Sequence, residues 1–337
     1  MNIFRKLCAA LSLCFAGGAL QAQDLHFSQF FQAPLLRNPA LAGIFTGDIR
    51  VQALYRDQWN SVTQAYRTTS LSGEYKMPIG KADDFLTIAG QVLYDQAGTV
   101  AWKTTHILPG INYHKSLSTE VNRYLSVGFM GGLVQTSIDR SKVETSDWYN
   151  TGADGETFGS SRATYIDMAT GVSFNTQWRE KSDDNLFIAV ALHHFNRPKR
   201  SFYKDAAAEL TPKIVVSGGI RFSVTEASYL NLQGDFSKQG AFQESVLGAL
   251  YGFKLGPELD NPVGAIHGGA FLRWNDAVVP VIKVDYYPFS FSFSYDVNIS
   301  KLKTSTLGRG GFEVGLTYTA KNKRREEMKG VIFCPKY

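Results

Sequence analysis

The sequence has few of the residues that cross-link a small exported fold. It contains three cysteines in 337 residues, and two of them, Cys8 and Cys14, fall in an N-terminal stretch that we expect to be removed. Cys334 is then the only cysteine left, so an internal disulfide is excluded. Its thiol could be free, could form an intermolecular disulfide or could make a small apolar contact, and we favour packing.

The sequence also lacks long apolar runs after its N-terminus. The chain begins with a basic start, Met-Asn-Ile-Phe-Arg-Lys, followed by an apolar run from Leu7 to Leu20 and then Gln-Ala-Gln. This order is typical of a secretory signal peptide, so we predict one over residues 1–22 and an exported mature chain. Beyond it, no run approaches the roughly 18 consecutive apolar residues of a transmembrane helix.

Strong charge bias and catalytic motifs are missing as well. The net charge is +5, and no basic stripe indicates a nucleic-acid partner. No Gly-x-Ser-x-Gly, His-Glu-x-x-His or phosphate-binding glycine loop occurs. Asp147, Asp154 and Glu156 lie among glycines, but without the spacing of a calcium loop. We therefore expect no enzymatic activity, no cofactor and no metal site.

The pattern that is present is alternation with a period of two. Between Phe289 and Ile299 the odd positions are aromatic or aliphatic, and the even positions are Ser, Asp or Asn. Successive side chains of a strand point to opposite faces, so this stretch has one apolar and one polar face. Similar stretches recur along the chain, and their length is about the 10 residues that a tilted strand needs to cross a bilayer. They predict an all-β fold, a transmembrane antiparallel β-barrel of the outer membrane.

We predict about fourteen strands. They cover residues 48–56, 65–76, 86–95, 100–113, 123–137, 163–176, 186–195, 213–224, 230–236 (a short strand), 245–254, 265–274, 278–287, 289–299 and 312–319. Bacterial barrels have even strand numbers, short periplasmic turns and longer outer loops. With both termini periplasmic, the long connections 138–162, 196–210 and 300–309 fall outside, and only 255–264 does not fit. Residues 48–320 then form the barrel, and 321–337 form a charged periplasmic tail.

The predicted polar faces carry four histidines, His106, His114, His193 and His267. Strand direction puts His114 and His267 near the inner rim and His193 toward the outer rim, so they do not form one cluster. We interpret them as polar groups of the lumen, which a barrel interior accepts.

The stretch before the first strand, residues 23–47, fits neither a strand nor a helix. Pro34 and Pro39 exclude one continuous helix. We call it the lead-in, and we expect it to be ordered, aromatic-rich and tucked into the barrel mouth. Phe27, Phe30 and Phe31 could form a partner-docking stripe or a plug packed in the barrel, and we favour the plug.

Four strings of the sequence resemble the PorP/SprF family. They are His26-Phe27-Ser28-Gln29-Phe30, Asn38-Pro39-Ala40-Leu41-Ala42-Gly43, Tyr55-Arg56-Asp57-Gln58-Trp59 and the ending Cys334-Pro335-Lys336-Tyr337. The resemblance covers essentially the whole mature chain. It implies an outer-membrane component of the type nine secretion and gliding machinery of Bacteroidetes, with Asn38, Pro39 and Cys334 as further candidate contacts.

Two functions remain open at this point. The resemblance implies an interaction protein that works with other secretion subunits, within outer-membrane lipid, and helps a secreted, often adhesin-like, cargo reach or remain on the cell surface. The alternative is a channel, or a transporter of hydrophobic ligands, with an N-terminal plug. About fourteen strands leave a lumen that is either filled or carries water. A filled lumen would favour the first function and an open path the second.

Overall fold

The computed structural model of the protein describes residues 24–58, 65–79, 83–98, 100–142, 160–179, 183–202, 209–257, 259, 262–300 and 309–321. The predicted signal peptide, the acidic residues Asp147 to Glu156, Cys334 and all but the first residue of the predicted tail lie outside the described residues. No helix in these ranges is long and apolar enough to span a membrane.

Fourteen antiparallel strands form one closed barrel in which each strand pairs with its neighbours in sequence and the first pairs with the last. The strands are β1 (Ile49–Gln58), β2 (Tyr66–Pro78), β3 (Phe85–Ala97), β4 (Trp102–Ser116), β5 (Arg123–Ser137), β6 (Arg162–Gln177), β7 (Asn185–His193), β8 (Lys213–Ser223), β9 (Ser228–Gln239), β10 (Phe242–Leu255), β11 (Gly264–Arg273), β12 (Ala277–Tyr286), β13 (Phe289–Asn298) and β14 (Arg309–Ala320). The predicted fold class is confirmed.

The strands follow the alternation that predicted them. On β2, Thr68, Ser70, Ser72 and Glu74 are buried inside the barrel, while Leu71 points outward and is 52% exposed. Transmembrane barrels show this arrangement, with apolar side chains toward hydrocarbon and polar ones toward the lumen. Every predicted strand is present with its bounds shifted by a few residues at most, although β9 has 12 residues and is not short.

The barrel has two distinct ends. We call the end where β1 begins and β14 finishes the terminal end. There, Asp48 N donates a hydrogen bond to Ala320 O at 2.8 Å, which joins the chain before β1 to the end of β14. The opposite end, which we call the loop end, carries the long connections 138–161 and 194–212. Connections at the terminal end include the shorter 79–84 and 117–122. The difference in loop length that was expected between the two ends is therefore present.

Candidate functional site

The described part of the lead-in runs through the lumen from one end of the barrel to the other. The Asp24 carboxylate at its start lies 3.2 Å from His194 Nε2 and 3.5 Å from Lys213 Nζ, which flank the 194–212 connection at the loop end. Its last residues lead into Asp48 at the terminal end. Residues 48 and 320 therefore lie at the terminal end, whereas residue 24 lies at the loop end.

Proline and asparagine explain the irregular path. The lead-in forms a 3-10 turn at Phe30–Gln32, a single α-helical turn at Pro34–Arg37 (α1) and another 3-10 turn at Pro39–Leu41. The side chain of Asn38 caps the last of these by accepting a hydrogen bond from Ala40 N at 2.7 Å. Each proline begins a turn, where its missing N–H costs nothing.

Near the loop end, two acids of the barrel wall hold the lead-in by accepting hydrogen bonds from its backbone and from one side chain. The carboxylate of Glu313 on β14 accepts hydrogen bonds from Ser28 N at 2.6 Å and Gln29 N at 2.7 Å. Asp296 on β13 accepts one from Ser28 Oγ at 2.8 Å. Hydrogen bonds to ionised acceptors are stronger than neutral ones, so this contact fixes the lead-in in register with β13 and β14.

Two arginines balance these acids. Arg56 NH2 lies 3.2 Å and Arg273 NH2 3.0 Å from Asp296 Oδ2, and Arg56 Nε lies 3.3 Å from Glu313 Oε1. Arg56 also donates to the carbonyl oxygen of His26 in the lead-in. We call Arg56, Arg273, Asp296 and Glu313 the acid–arginine cluster. All four are at least 96% buried, so removing one charge would leave another unpaired in the barrel interior.

Midway along the lumen the lead-in contributes its own buried cation. Arg37 of α1 pairs with Asp235 on β9 and donates to Ser217 Oγ on β8 at 3.1 Å. Its guanidinium also lies over the rings of Phe30 and Phe187, 4.8 and 5.1 Å from their centroids. The charge is therefore paired and stacked, as a buried arginine requires.

Polar side chains of β4 and β6 hydrogen-bond the backbone of the lead-in at Ala40 and Ala42. We call this binding position the seat of the lead-in. Asn112 Nδ2 donates to the carbonyl oxygens of both Ala40 and Ala42, each at 2.8 Å. Ser173 Oγ donates to the Ala40 carbonyl oxygen at 2.9 Å. Asn38 and Asn112 are completely buried, so these hydrogen bonds replace those that water would otherwise make.

Two glycines of the wall give this segment its space. A Cβ at Gly128 on β5 would lie 2.4 Å from the carbonyl carbon of Pro39, and one at Gly171 on β6 would lie 2.0 Å from Asn38 Oδ1. Real Cβ atoms do not come that close to other heavy atoms. The glycines are therefore needed for the close approach of the lead-in backbone to the sheet.

The three phenylalanines of the lead-in are split between two packing clusters. Phe27 packs with Leu54 and Leu93 on one side of the lumen. Phe30 and Phe31 contact Phe271 on β11, with ring centroids 5.1 and 5.2 Å apart. They therefore do not form one stripe, but all three contact the barrel's interior.

A small cavity of about 20 Å³ near the loop end is lined by three histidines, His106, His193 and His194, together with Asp24 and Asp167. Sequence reasoning missed His194, because simple alternation points it outward. In the structure it has φ +55, a left-handed conformation that breaks the alternation, so both His193 and His194 are buried.

His194 connects the wall to the start of the lead-in. Its Nδ1 lies 2.8 Å from Asp167 Oδ1, and its Nε2 lies 3.2 Å from Asp24 Oδ2. Burial works to lower the pKa of His194, but the carboxylates of Asp24 and Asp167 outweigh it and raise the pKa to about 9. Burial likewise works to raise the pKa of Asp24, and Lys213 and His194 hold it well below its usual range. We call Asp24, Asp167 and His194 the clasp.

The other two histidines lie toward the terminal end, as strand direction predicts. His114 is fully buried and stacks on Phe85 with 3.8 Å between ring centroids, and His267 Nε2 lies 3.7 Å from Asp285 Oδ2. Among the residues that the structure describes, no group of three or more His, Cys, Asp or Glu side chains could hold a metal ion.

Comparison with known families gives the identification. Residues 19–318 match the family model described as type IX secretion system membrane protein PorP/SprF. The chain belongs to the PorP/SprF family. This PorP/SprF protein is therefore an outer-membrane barrel of the type IX secretion system. A comparison with curated proteins gives no match.

Solved structures similar to this PorP/SprF chain are barrels at low sequence identity. They include the CymD monoaromatic hydrocarbon channel (10% identity, 88% of this chain and 94% of that chain, TM-score 0.46). The toluene transporter TodX of P. putida (7%, 86% and 94%, 0.46) and the translocator domain of autotransporter NalP from Neisseria meningitidis (10%, 86% and 94%, 0.44) are further examples. With TM-scores below 0.5, they carry no argument about what this chain binds or moves.

Proposed function

We propose that this PorP/SprF barrel helps to secrete or anchor a surface protein cargo together with other type IX secretion components, and that its lumen is not a conducting channel. The observation that carries the proposal is the path of the lead-in through the lumen. Its contacts reach β13 and β14, then β8 and β9, then β4 to β6. A plug attached at so many points suits a scaffold better than a pore.

Two cavities among the described residues are small, which supports the same interpretation. The cavity beside the clasp holds about 20 Å³, and a second one, between the lead-in and β8 to β10, holds about 50 Å³. A single water molecule needs roughly 10–15 Å³ on this measure, so these spaces take a few waters. With the lead-in in the lumen, the loop end, which carries the long connections, is the surface that we propose for cargo contact.

The second candidate function is a channel or hydrophobic-ligand transporter whose plug moves. The larger cavity favours it, because Phe27, Phe30 and Val246 line one part of it and Arg37 and Glu244 another. An amphipathic ligand would suit such a lining, although the present volume is far below the roughly 300–1,000 Å³ of ordinary ligand pockets. Transport would therefore require the lead-in to leave its seat.

A mild-detergent pull-down from the native outer membrane, with partners identified by mass spectrometry, separates the two functions. A variant lacking residues 143–159 is compared with a second variant in which the same residues are scrambled. We expect one large secreted protein with the wild-type chain, reduced or lost in both variants, and secretion subunits retained in all three. Recovery of no secreted protein, together with ion conductance of the wild-type barrel in a planar bilayer, would overturn the proposal in favour of a channel.

A further inference from the structure

One row of residues crosses the outer surface of β2 to β6 at the loop end. The strand register pairs Arg67 with Gln96, Gln96 with Lys103, Lys103 with Ser137, and Ser137 with Arg162. These five residues therefore lie side by side across five adjacent strands. Alternation places the whole row on the outside, because the flanking Thr68, Thr104 and Ala163 are buried in the lumen.

The three cations of this row are evenly spaced. Arg67, Lys103 and Arg162 lie on alternate strands, so neighbouring backbones are roughly 9–10 Å apart. All three residues are exposed, and the side chain of Arg67 is 55% exposed although its Nε lies 3.3 Å from Asp57 Oδ2. We call them the cationic row.

From the cationic row toward the terminal end, every second residue of each strand points outward, and the type of outward side chain changes from row to row. The next outward row is made of hydroxyl and amide side chains, Thr69, Tyr94, Thr105, Gln135 and Thr164. The row after that is entirely aliphatic and 43–55% exposed, and consists of Leu71, Val92, Ile107, Leu133 and Ile166. Successive rows are roughly 6.6 Å apart along the strands. The cationic row thus lies about two steps, roughly 13 Å, above the first fully aliphatic row, with the hydroxyl and amide row between them.

The row is confined to one side of the barrel. At the loop end of the opposite wall, the corresponding outward row reads Ile214, Lys238 and Gln243, with a single cation. Two acids adjoin the cationic row. Asp57 on β1 lies directly beside Arg67 and pairs with it, whereas Asp139 is engaged by Lys142 at 3.8 Å and by Ser141 Oγ at 2.7 Å. Among the residues that the structure describes, this face therefore carries three outward cations at the loop end, of which Arg67 is partly neutralised by Asp57.

We propose that Arg67, Lys103 and Arg162 bind the phosphate groups of lipid A, the phosphorylated glycolipid of the outer leaflet. Arginine forks and lysine ammonium groups are the usual protein partners of phosphate. The hydroxyl and amide row beneath supplies donors and acceptors for the sugar hydroxyl and acyl-linkage oxygens. Lipid A follows from the proposed outward orientation of the loop end, but the cationic row itself does not depend on any cargo.

The test measures binding of fluorescent lipid A to the purified full-length protein in a zwitterionic detergent. Each Lys or Arg near an anionic lipid surface contributes about fivefold in affinity. With Arg67 partly neutralised by Asp57, we expect the triple variant Arg67→Gln, Lys103→Gln, Arg162→Gln to lose roughly 25-fold. Lys238→Gln, an outward lysine on the opposite wall, and Arg123→Gln, an exposed arginine at the terminal end, are the controls and should leave binding unchanged.

Competitors identify the ligand chemistry, and a gel shift on heating shows that each variant is still a folded barrel. Lipid A without its phosphates should compete poorly, and millimolar inorganic phosphate should not compete. If the folded triple variant binds lipid A like the wild type, or loses only phosphatidylglycerol binding, the proposal is overturned. Because the assay needs neither cargo nor membrane orientation, failure of the proposed secretion role would not affect its outcome.

Discussion

At the scale of single residues, the charges of the acid–arginine cluster are balanced, two against two. The acid–arginine cluster has two arginines and two acids, and its members join β1, β11, β13 and β14. Breaking such a buried pair typically costs about 3–5 kcal/mol, whereas removing both partners costs much less.

Glu313→Gln is therefore predicted to lower the free energy of unfolding by about 3–5 kcal/mol, because Arg56 loses a partner and two lead-in amides lose their acceptor charge. Combining it with Arg56→Met restores the balance, since Arg273 and Asp296 remain paired. The double variant should be more stable than the single one. Urea unfolding in micelles, followed by tryptophan fluorescence, measures all three proteins, and a double variant that is less stable by the sum of both costs would contradict the balance.

Gly171→Ala tests the seat of the lead-in. Its Cβ would meet Asn38 Oδ1 at 2.0 Å, and overpacking of this kind costs typically about 1–3 kcal/mol. Gly90→Ala is the matched control, because nothing lies within 4 Å of a Cβ there. We expect the midpoint of urea unfolding to fall for Gly171→Ala and to stay within error for Gly90→Ala. Equal midpoints for the two variants would mean that the close approach is not required.

At the scale of elements, the strands could be predicted from sequence and the path of the lead-in could not. Strand alternation is local, so a stretch such as β5 is recognised from Arg123 to Ser137 by its own residues. The lead-in is positioned by contacts such as Ser28 with Glu313, which are 285 residues apart in sequence. Its prolines indicate irregular backbone, but no local pattern tells which strand carries the partner of each polar group.

The same distinction explains the missed clasp. His194 follows the last residue of β7, where a positive φ replaces the strand conformation and reverses the direction of the side chain. Its two carboxylate partners come from β6 and from the lead-in. Both the turn at His194 and its two partners depend on tertiary structure, so they could not be predicted from the alternation of apolar and polar residues.

The clasp should make attachment of the lead-in depend on pH. The pKa of His194 is raised from 6.5 to about 9, so its charged form stabilises the folded protein. This contribution is complete below about pH 6.5 and is lost as the pH rises through 9. A shift of this size corresponds to on the order of 3 kcal/mol. Between pH 7 and pH 10 the free energy of unfolding should therefore decrease in both proteins, and the decrease should be larger for the wild type than for His194→Gln.

Protection of the lead-in against proteolysis, measured in parallel with unfolding at both pH values, locates the effect. A matched control is His267→Gln, whose ring lies toward the terminal end and away from the clasp. If His194→Gln and the wild type show the same pH dependence, the two carboxylates do not hold the charged histidine as the geometry indicates.

At the scale of the whole molecule, the two ends of the barrel should face different compartments. We predict that the loop end faces outside and the terminal end faces the periplasm, because outer-membrane barrels keep their longer loops outside. In a Cys334→Ser background, Ser141→Cys at the loop end should react with a membrane-impermeant maleimide on intact cells. Thr119→Cys at the terminal end should react only after the outer membrane is opened. The reverse result would invert the orientation and place the cationic row in the inner leaflet.

The acid that receives the lead-in lies on the strand that completes the ring. Glu313 belongs to β14, whose residues 311–320 pair with all ten residues of β1, and the lead-in lies inside the ring that this pairing closes. A ring closed first would have to be threaded by more than twenty residues, several of them bulky and charged. Docking of the lead-in before or during the last strand pairing avoids that threading step. In that order of assembly, Ser28 and Gln29 contact Glu313 of β14 before β14 completes its pairing with β1.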